Sequence, residues 1–247
     1  MTTKVRIVGA GRAGGAFALA LRRAGWNVDG PIGRDHAAIE AAADGVDLVL
    51  VCVSDPAIAE VASTIRPGDA VVAHVAGAVG LDVLAPHRRV GAIHPLVSLP
   101  SAELGAERLV GAWYGTGGDP IVWEVARALR GRSFRISDLD RVTYHAAACV
   151  AANHLVALLG QVERLAASIG APIDAYLDMA AAVVENVRTL GAAEALTGPA
   201  ARGDLATIER HLEAIGPDER DTYRVLAREA TRLAGRDLLA PLDRIEG

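Results

Sequence analysis

Three glycines near the start of the chain have the spacing of a phosphate-binding turn. Gly9, Gly11 and Gly14 form the pattern G-x-G-x-x-G between an apolar run at residues 5–8 and a helical pattern rich in alanine and leucine. The first glycine permits a tight bend, the second lets the backbone approach a pyrophosphate, and the third lets strand and helix pack closely. Unpaired N–H groups at the start of the helix favour negative charge, so the pattern predicts a dinucleotide site. The residues predicted to hold the diphosphate are Gly9, Ala10, Gly11, Arg12, Ala13 and Gly14.

The end of the second predicted strand bears on the choice between the two pyridine dinucleotides. A site for NAD usually carries an acid about 20 residues beyond the glycines, where it holds the 2′-hydroxyl of the ribose. Here Asp29 comes too early, within the strand, and Arg34 stands in the expected region. Arginine suits a 2′-phosphate, so we predict NADP(H) as the cofactor. Two alternatives stay open: Asp35 could hold a ribose hydroxyl, and Arg34 could be a solvated loop residue.

Polar residues follow three later strand-like runs. Ser54 comes after the third run, His74 ends the fourth, and His94 ends the next, directly before a proline. Ligands of open α/β sheets bind at the carboxyl ends of the strands. We therefore predict that Ser54 and His74 contact the cofactor and that His94 lines the reacting end of the site. Ser54 also precedes an ordinary helix start, which is the structural alternative for that residue.

A helical pattern beginning near residue 138 carries polar side chains on one face. His145, Cys149 and Asn153 are spaced i, i+4 and i+8, and the rest of that helix is mainly apolar. At 1.5 Å per residue, His145 and Asn153 lie about 12 Å apart along the axis. We predict that His94 or His145 donates a proton and that Asn153 orients the reacting groups. The alternative is that these are buried polar groups satisfied by a neighbouring helix.

An interruption of the C-terminal helices supplies two further candidates. Thr197 and Arg202 lie in the run Thr-Gly-Pro-Ala-Ala-Arg-Gly-Asp, which ends at Asp204. Arginine binds a carboxylate with two parallel hydrogen bonds, so we predict that Arg202 and Thr197 hold the substrate. The alternative is a plain helix break in which Asp204 caps the next helix.

The elements that would position these residues follow from the pattern of the chain. Up to about residue 138 short apolar runs alternate with helical patterns, which predicts a doubly wound parallel sheet. The runs lie near residues 5–8, 27–32, 47–53, 70–75, 89–94 and 133–136. From residue 139 the pattern is almost wholly helical. We predict an α/β fold with a cofactor-binding sheet domain at residues 1–138 and an all-α domain at residues 139–247.

Composition excludes several classes of function. A net charge of −5 argues against a nucleic acid or an anionic membrane as the main partner. No leader is evident and no apolar run approaches the roughly 20 residues of a membrane span, so we expect a cytoplasmic protein. The two cysteines are far apart, and no acid or histidine cluster has metal-ligand spacing. Lys4 is the only lysine, which argues against catalysis by a lysine amine.

Several blocks of the chain together resemble a bacterial family of Rossmann-like oxidoreductases whose C-terminal half is a domain of unknown function. The blocks are residues 8–14 (VGAGRAG), 74–77 (HVAG), 91–96 (GAIHPL), 145–148 (HAAA) with Asn153 and His154, and 196–199 (LTGP) through Arg202, Gly203 and Asp204. The layout is similar, more distantly, to pyrroline-5-carboxylate reductase, deazaflavin-dependent NADP oxidoreductases and ketopantoate reductase. The resemblance implies an NADP-binding first domain, a helical domain that forms homodimers, and reduction of a small keto or imino acid. Some relatives are proposed to reduce ketopantoate.

One position departs from the pattern of the distant relatives. Ketopantoate reductases and the β-hydroxyacid dehydrogenases place a lysine four residues before an asparagine on this helix, where the present chain has Cys149 before Asn153. Either a histidine, His94 or His145, replaces the lysine as the acid, or the chemistry differs. We predict an NADPH-dependent reductase of a small carboxylated substrate. The alternative is a non-catalytic NADP-binding sensor or scaffold, and a metal-dependent hydrolase has less support.

Overall fold

The computed structural model describes residues 3–236 of the chain. These residues fall into two compact units that divide between Asn153 and His154. The first unit contains a seven-stranded sheet with helices, and the second consists of helices. The predicted α/β class with a helical second half is confirmed.

The sheet of the first unit has the strand order β2-β1-β3-β4-β5-β6-β7. The strands are β1 (Lys4–Val8), β2 (Asn27–Ile32), β3 (Leu48–Val51), β4 (Val71–His74), β5 (Val90–Pro95), β6 (Trp113–Gly118) and β7 (Arg132–Arg135). Neighbouring strands are parallel except β5 and β6, which pair antiparallel with His94 opposite Gly115. Each run expected to form a strand does so. The antiparallel β6 is the addition, and its glycine-rich sequence hides it from a search based on β-propensity.

Helices cover both faces of the sheet, which explains the uninterrupted apolar sequence of its central strands. The helices of this unit are α1 (Arg12–Arg23), α2 (His36–Glu40), α3 (Ile58–Thr64), α4 (Ala102–Leu109), α5 (Ile121–Ala128) and α6 (Arg141–Cys149). Because successive strand residues point to opposite faces, Leu48 and Leu50 join one buried cluster and Val49 and Val51 join the other. A parallel sheet buried in this way requires apolar residues at consecutive positions.

Helix α6 accounts for the difference between the predicted boundary at residue 138 and the division after Asn153. The helical pattern does begin there, with a short 3₁₀ turn at Asp138–Asp140 ahead of α6. However, the buried side chain of Arg141 and the ring of Tyr144 approach β6 at Gly117 and Gly115. These contacts attach the first helix of the helical half to the sheet.

The second unit contains the remaining helices. They are α7 (Leu155–Ser168), α8 (Ile173–Leu190), α9 (Ala192–Ala195), α10 (Gly198–Arg202), α11 (Leu205–Ala214) and α12 (Pro217–Leu233). Helix α7 is tied to the start of α12 by two hydrogen bonds from the Arg164 guanidinium to the Glu219 carboxylate, at 2.5 and 3.0 Å. Ile208 and Leu212 of α11 form a small buried core. Helix α8 contributes no buried residue.

One stretch of helix contradicts the expectation that nothing in the chain is long and apolar enough to span a membrane. The helical stretch Asp138–Ser168 has 31 residues, and its most apolar 18-residue window has a mean hydropathy of 1.4 with none of that window buried. Sequence reasoning missed it because uncharged polar residues such as Asn153 interrupt the apolar run without adding charge. By length and composition alone this is weak support for a membrane segment, and an apolar helix covered by another protein surface has the same features.

Candidate active site

The glycine turn has the geometry that the sequence predicts for a phosphate site. Gly9 has φ +110°, and a Cβ there would lie 2.3 Å from the carbonyl oxygen of Cys52. A Cβ on Gly14 would lie 1.8 Å from the carbonyl oxygen of Gly9, so strand and helix touch backbone to backbone. Gly11 is the N-cap of α1, makes no side-chain cap, and has no atom within 4 Å of its Cβ position. The amides at the start of α1 therefore face open space, as binding of a diphosphate requires.

Two acids and an arginine lie near the end of β2. The carboxylate of Asp29 accepts hydrogen bonds from Arg6 Nε (3.0 Å) and Nη2 (2.7 Å), which lower the pKa of Asp29 and occupy it. Asp35 caps α2 by accepting from the Ala38 amide at 3.2 Å. Arg34 is exposed, as is Ser54 after β3. One oxygen of each acid, Asp29 Oδ2 and Asp35 Oδ1, thus accepts a hydrogen bond within the chain, while the side chain of Arg34 is exposed to solvent.

His74 is a buried residue whose ring orders its own loop. Its Nδ1 accepts from the Ala76 amide at 3.2 Å, so its Nε2 carries the hydrogen and donates to the Gly80 carbonyl at 3.3 Å. Burial lowers the pKa of His74 to about 4, and the charge of Arg141 acts in the same direction. Both nitrogens of the His74 ring thus have backbone partners. The predicted contact between His74 and a cofactor stays a prediction, and it would be made by the loop that the ring holds in place.

Arg141 is a buried cation that sequence reasoning missed. The residue is 1% exposed, and its Nε donates to the Asp138 carboxylate at 2.7 Å. Asp138 also accepts from the Leu81 amide at 3.1 Å. Burial raises the pKa of Asp138, but the bonds from Arg141 and Leu81 outweigh this and lower it. The available signal was the i, i+3 spacing of Asp138 and Arg141 on the helix that also carries His145.

Glycines let α6 approach the sheet closely at its polar side chains. A Cβ on Gly117 would lie 2.6 Å from Arg141 Nη2, and one on Gly115 would lie 2.7 Å from the Tyr144 hydroxyl. A Cβ on Gly77, in the loop after β4, would lie 2.5 Å from His145 Nδ1. We call Gly77, Gly115 and Gly117 the glycine floor. It brings the polar face of α6 into contact with the carboxyl ends of β4 and β5.

His94 sits at the centre of this contact. Its Nδ1 lies 2.7 Å from the hydroxyl of Tyr144, and its ring meets that of His145 edge-on with centroids 5.6 Å apart. Burial lowers the pKa of His94 to about 4, with further lowering by His145, Arg141 and His74. A histidine that donates a proton, as predicted for His94, is suited to that role by a pKa near neutrality. The burial of His94 lowers its pKa well below that range.

His145 contacts Cys149, the residue that stands where ketopantoate reductases have a lysine. Its Nε2 lies 3.6 Å from the Cys149 sulfur, one helical turn further along. Its Nδ1 is buried and has no hydrogen-bond partner among the residues that the structure describes. Nε2 and Cε1 of His94 and Nδ1 of His145 all approach the Cβ position of Gly77. The structure therefore brings together the two histidines that the sequence analysis names as alternative proton donors.

Asn153 lies further along the same helix, in a different backbone geometry. The segment Val150–His154 is π-helical, and Asn153 within it is exposed. Short π-helical segments occur often at functional sites. No contact joins Asn153 to His145 in the described structure, in line with the spacing of about 12 Å expected along the axis.

The two predicted substrate residues belong to the helical unit. Thr197 is the N-cap of α10, and Arg202 is exposed in the last turn of that helix. Asp204 caps α11 by accepting from the Thr207 amide at 3.1 Å, as the structural alternative proposes. Thr197 lines a cavity of about 370 Å³ between α7, α10, α11 and α12, whose other polar residues are Gln161 and Tyr223. Among residues 3–236, no group of three or more histidines, cysteines and acids is placed to hold a metal ion.

The chain matches two known domain families in succession. Residues 1–100 match the Rossmann-like domain, and residues 116–230 match the domain of unknown function DUF2520. Comparison with curated protein sequences found no match.

Solved structures share this fold over nearly the whole chain. A Bacteroides fragilis protein named as a candidate NADP oxidoreductase is 21% identical, with a TM-score of 0.76 over 94% of this chain and 98% of that one. A Thermotoga maritima protein is 24% identical, with a TM-score of 0.72 and the same coverage. The pyrroline carboxylate reductase of Plasmodium falciparum, solved with NADP bound, is 12% identical, with a TM-score of 0.62 over 94% and 98%. At these identities the likeness establishes the fold.

Proposed function

We propose that the protein is an NADP-dependent oxidoreductase that uses NADPH to reduce a small carboxylated keto or imino acid. The observation that carries the proposal is the pair of imidazoles, His94 and His145, that meet over Gly77. They lie at the carboxyl edge of the sheet, the edge that also bears the glycine turn. The similar structures named for NADP chemistry or solved with NADP support the same conclusion.

The residues present fit the cofactor. Gly9 and Gly14 leave no room for a Cβ, so the turn presents only backbone atoms to the cofactor. The amides at the start of α1 suit the diphosphate. Arg12 begins that helix, and the exposed Arg34 would bind the 2′-phosphate. Ser54 and the loop ordered by His74 would contact the rest of the nucleotide. When bound, NADPH supplies the hydride.

The side chains of this protein would bind and polarise the substrate. His94, which is neutral at pH 7, would donate a hydrogen bond to the reacting oxygen or nitrogen, and His145 would act beside it. Asn153 would orient the carbonyl or the nicotinamide, while Arg202 and Thr197 would hold the carboxylate. Ketopantoate is the specific substrate that we propose first, because the family resemblance includes relatives proposed to reduce it.

Oxidation of NADPH in the presence of candidate substrates tests this function. We expect turnover with ketopantoate or another 2-keto acid, or with pyrroline-5-carboxylate, and faster turnover with NADPH than with NADH. Replacing His145 by Ala should lower kcat about 100-fold with little change in the KM for NADPH. Replacing Arg34 by Ala should raise the KM for NADPH about tenfold and leave that for NADH unchanged. His36→Ala, two residues beyond Arg34 on an exposed surface, is the matched control.

A non-catalytic NADP-binding sensor or scaffold is the second candidate. The observation in its favour is Cys149, which stands where the related reductases have their lysine. The test above separates the two functions: tight binding of NADPH with no turnover on any of these substrates would support the sensor. Failure to bind either nucleotide would contradict both.

We further propose that the protein forms a homodimer through its helical unit and acts in the cytoplasm, without a nucleic-acid or membrane partner. Helix α8 has 18 residues, none of them buried, and exposes Leu177, Met179, Val183, Val184 and Val187. An apolar helix of this kind needs a covering surface. A second copy would cover α8 and the apolar stretch that follows Asp138.

A further inference from the structure

The contact between His145 and Cys149 determines which nitrogen of His145 carries the hydrogen. A neutral imidazole has one N–H and one nitrogen lone pair, whereas a thiol is a weak donor and its sulfur a weak acceptor. The stronger pairing at the 3.6 Å contact is therefore donation from the Cys149 thiol to the lone pair of His145 Nε2. The hydrogen of the ring is then on Nδ1, the buried atom that has no partner among the described residues.

The contact between His94 and Tyr144 determines the state of the second ring in the same way. The Tyr144 hydroxyl has one hydrogen to donate. Of the two acceptors near it, His94 Nδ1 at 2.7 Å is much closer than the His94 carbonyl at 3.5 Å. The hydroxyl therefore donates to Nδ1, and the hydrogen of the His94 ring is on Nε2.

We propose that Tyr144 and Cys149 are positioning residues that fix the tautomers of His94 and His145, so that each ring carries its hydrogen on the nitrogen that lies against Gly77. Both nitrogens that carry these hydrogens approach the Cβ position of Gly77, His145 Nδ1 at 2.5 Å and His94 Nε2 at 3.1 Å. Two converging neutral donors form a site for an oxygen atom that gains negative charge. The use of this site in catalysis rests on the proposed function.

The charges around the pair favour the same ligand. The described groups that act on His94 electrostatically are His145, Arg141 and His74, and none of them is an acid. The carboxylate of Asp138, which acts on His74, already accepts from Arg141 and from the Leu81 amide. Among the described groups that act on His94, an iminium cation would find no negative partner. A carbonyl, whose oxygen becomes an alkoxide on reduction, would find two donors.

The same arrangement offers a route for the proton. Once the carbonyl carbon has accepted hydride, the electron pair of the C=O π bond resides on oxygen. That oxygen takes the hydrogen from His94 Nε2, while Nδ1 takes the hydrogen of the Tyr144 hydroxyl, so the imidazole ends neutral. The starting state returns when Nε2 of the partly buried His94 takes a proton from solvent and Nδ1 gives its hydrogen back to the Tyr144 oxygen.

Nuclear magnetic resonance of protein with ¹⁵N-labelled histidine tests the tautomers without substrate or cofactor. The spectra are recorded at pH 8, above the ordinary histidine pKa of about 6.5. We expect the N–H of His145 on Nδ1 and that of His94 on Nε2. His74 is the internal reference, because acceptance from the Ala76 amide places its hydrogen on Nε2.

Variants identify the groups responsible. Cys149→Ala should remove the preference of His145 for Nδ1–H, and Cys149→Ser, which retains a donor, should keep it. Tyr144→Phe should alter His94 and leave His74 unchanged. The inference is overturned if His145 carries its hydrogen on Nε2 in the unaltered protein, or if Cys149→Ala leaves the His145 signals as they were.

Kinetics then show whether the tautomers are used. Cys149→Ala and Tyr144→Phe should each lower kcat by about tenfold or more with the KM for NADPH unchanged, and Cys149→Ser should restore most of the loss. Thr143→Ala, on the exposed side of the same helix, is the control. An unaltered protein with the expected tautomers and no turnover would contradict the proposed function alone. Altered tautomers with full turnover would contradict the catalytic role of the two residues.

Discussion

At the scale of single residues, burial decides what the histidines of this protein can do. His74 is fully buried and His94 largely so, and burial is the main cause that lowers the pKa of each to about 4. Near neutral pH both rings are therefore neutral hydrogen-bonding groups and do not carry the extra proton of an imidazolium. The sequence analysis places His94 at a strand end, where the structure has it, but the depth of its burial depends on α6, which is distant in the sequence.

This burial makes the stability of the protein depend on pH. In the unfolded chain the two histidines titrate near 6.5, so between pH 6.5 and 4 the unfolded state binds more protons than the native state. Each buried histidine should therefore lower the free energy of unfolding by about 2 kcal/mol between pH 7 and pH 5. Urea denaturation at the two pH values measures the loss. The groups that face His94 are Tyr144, His145, Arg141 and His74.

A variant separates this effect from general acid sensitivity. His94→Gln should remove about half of the difference between pH 7 and pH 5, because it removes one of the two groups. His36→Gln, on the exposed start of α2, should keep the full difference. Equal pH dependence in His94→Gln and in the unaltered protein would show that His94 is not a buried neutral base.

At the scale of elements, the packing of α6 on the sheet depends on residues that have no side chain. The chain is expected to form a helix from about residue 138, and it does. The packing of this helix on the sheet could not be predicted. It depends on the contact of Arg141 with Gly117 and of Tyr144 with Gly115, and both glycines lie on β6, the strand that the sequence analysis did not find. The glycine turn before α1, in contrast, could be predicted from its spacing, although the contact of Gly9 with the Cys52 carbonyl could not.

Adding one methyl group to the glycine floor should disturb both packing and the site. In Gly115→Ala the new Cβ would lie 2.7 Å from the Cζ and hydroxyl of Tyr144, and the ring can move only by leaving His94. We expect a loss of about 1 to 3 kcal/mol in the free energy of unfolding, measured by urea denaturation, together with reduced turnover. Gly68→Ala is the matched control, because its nearest contact would be at 3.9 Å. Similar stability of the two variants would mean that α6 does not press on β6.

At the scale of the whole molecule, the helical unit exposes more apolar surface than a monomer usually does. Leu177, Val183, Val184, Val187 and Leu190 are all at least 41% exposed on α8. The sequence analysis predicts that this half of the chain is helical and that its helices are interrupted near Thr197, and the structure has both features. Which face a helix buries could not be predicted, since that depends on its partners.

The dimer proposal gives a measurable mass. We expect light scattering to give twice the mass of 25.6 kDa for the purified protein. Placing charges on the exposed stripe, as in Val183→Glu with Val187→Glu, should yield a monomer that still binds NADPH, because the glycine turn lies in the other unit. Glu185→Gln, which changes a residue on α8 without adding charge, should remain dimeric. A monomeric unaltered protein would contradict the proposal.

The glycine floor also limits how this protein can change over evolutionary time. Every other amino acid is larger than glycine, so any replacement at Gly77, Gly115 or Gly117 adds an atom where Arg141, Tyr144 or His145 already stands. Substitutions at these three positions would therefore displace Arg141, Tyr144 or His145 from the sheet. They could not alter the packing of α6 by small steps. New specificities would have to arise from residues that border the substrate elsewhere, and the histidine pair would be inherited unchanged.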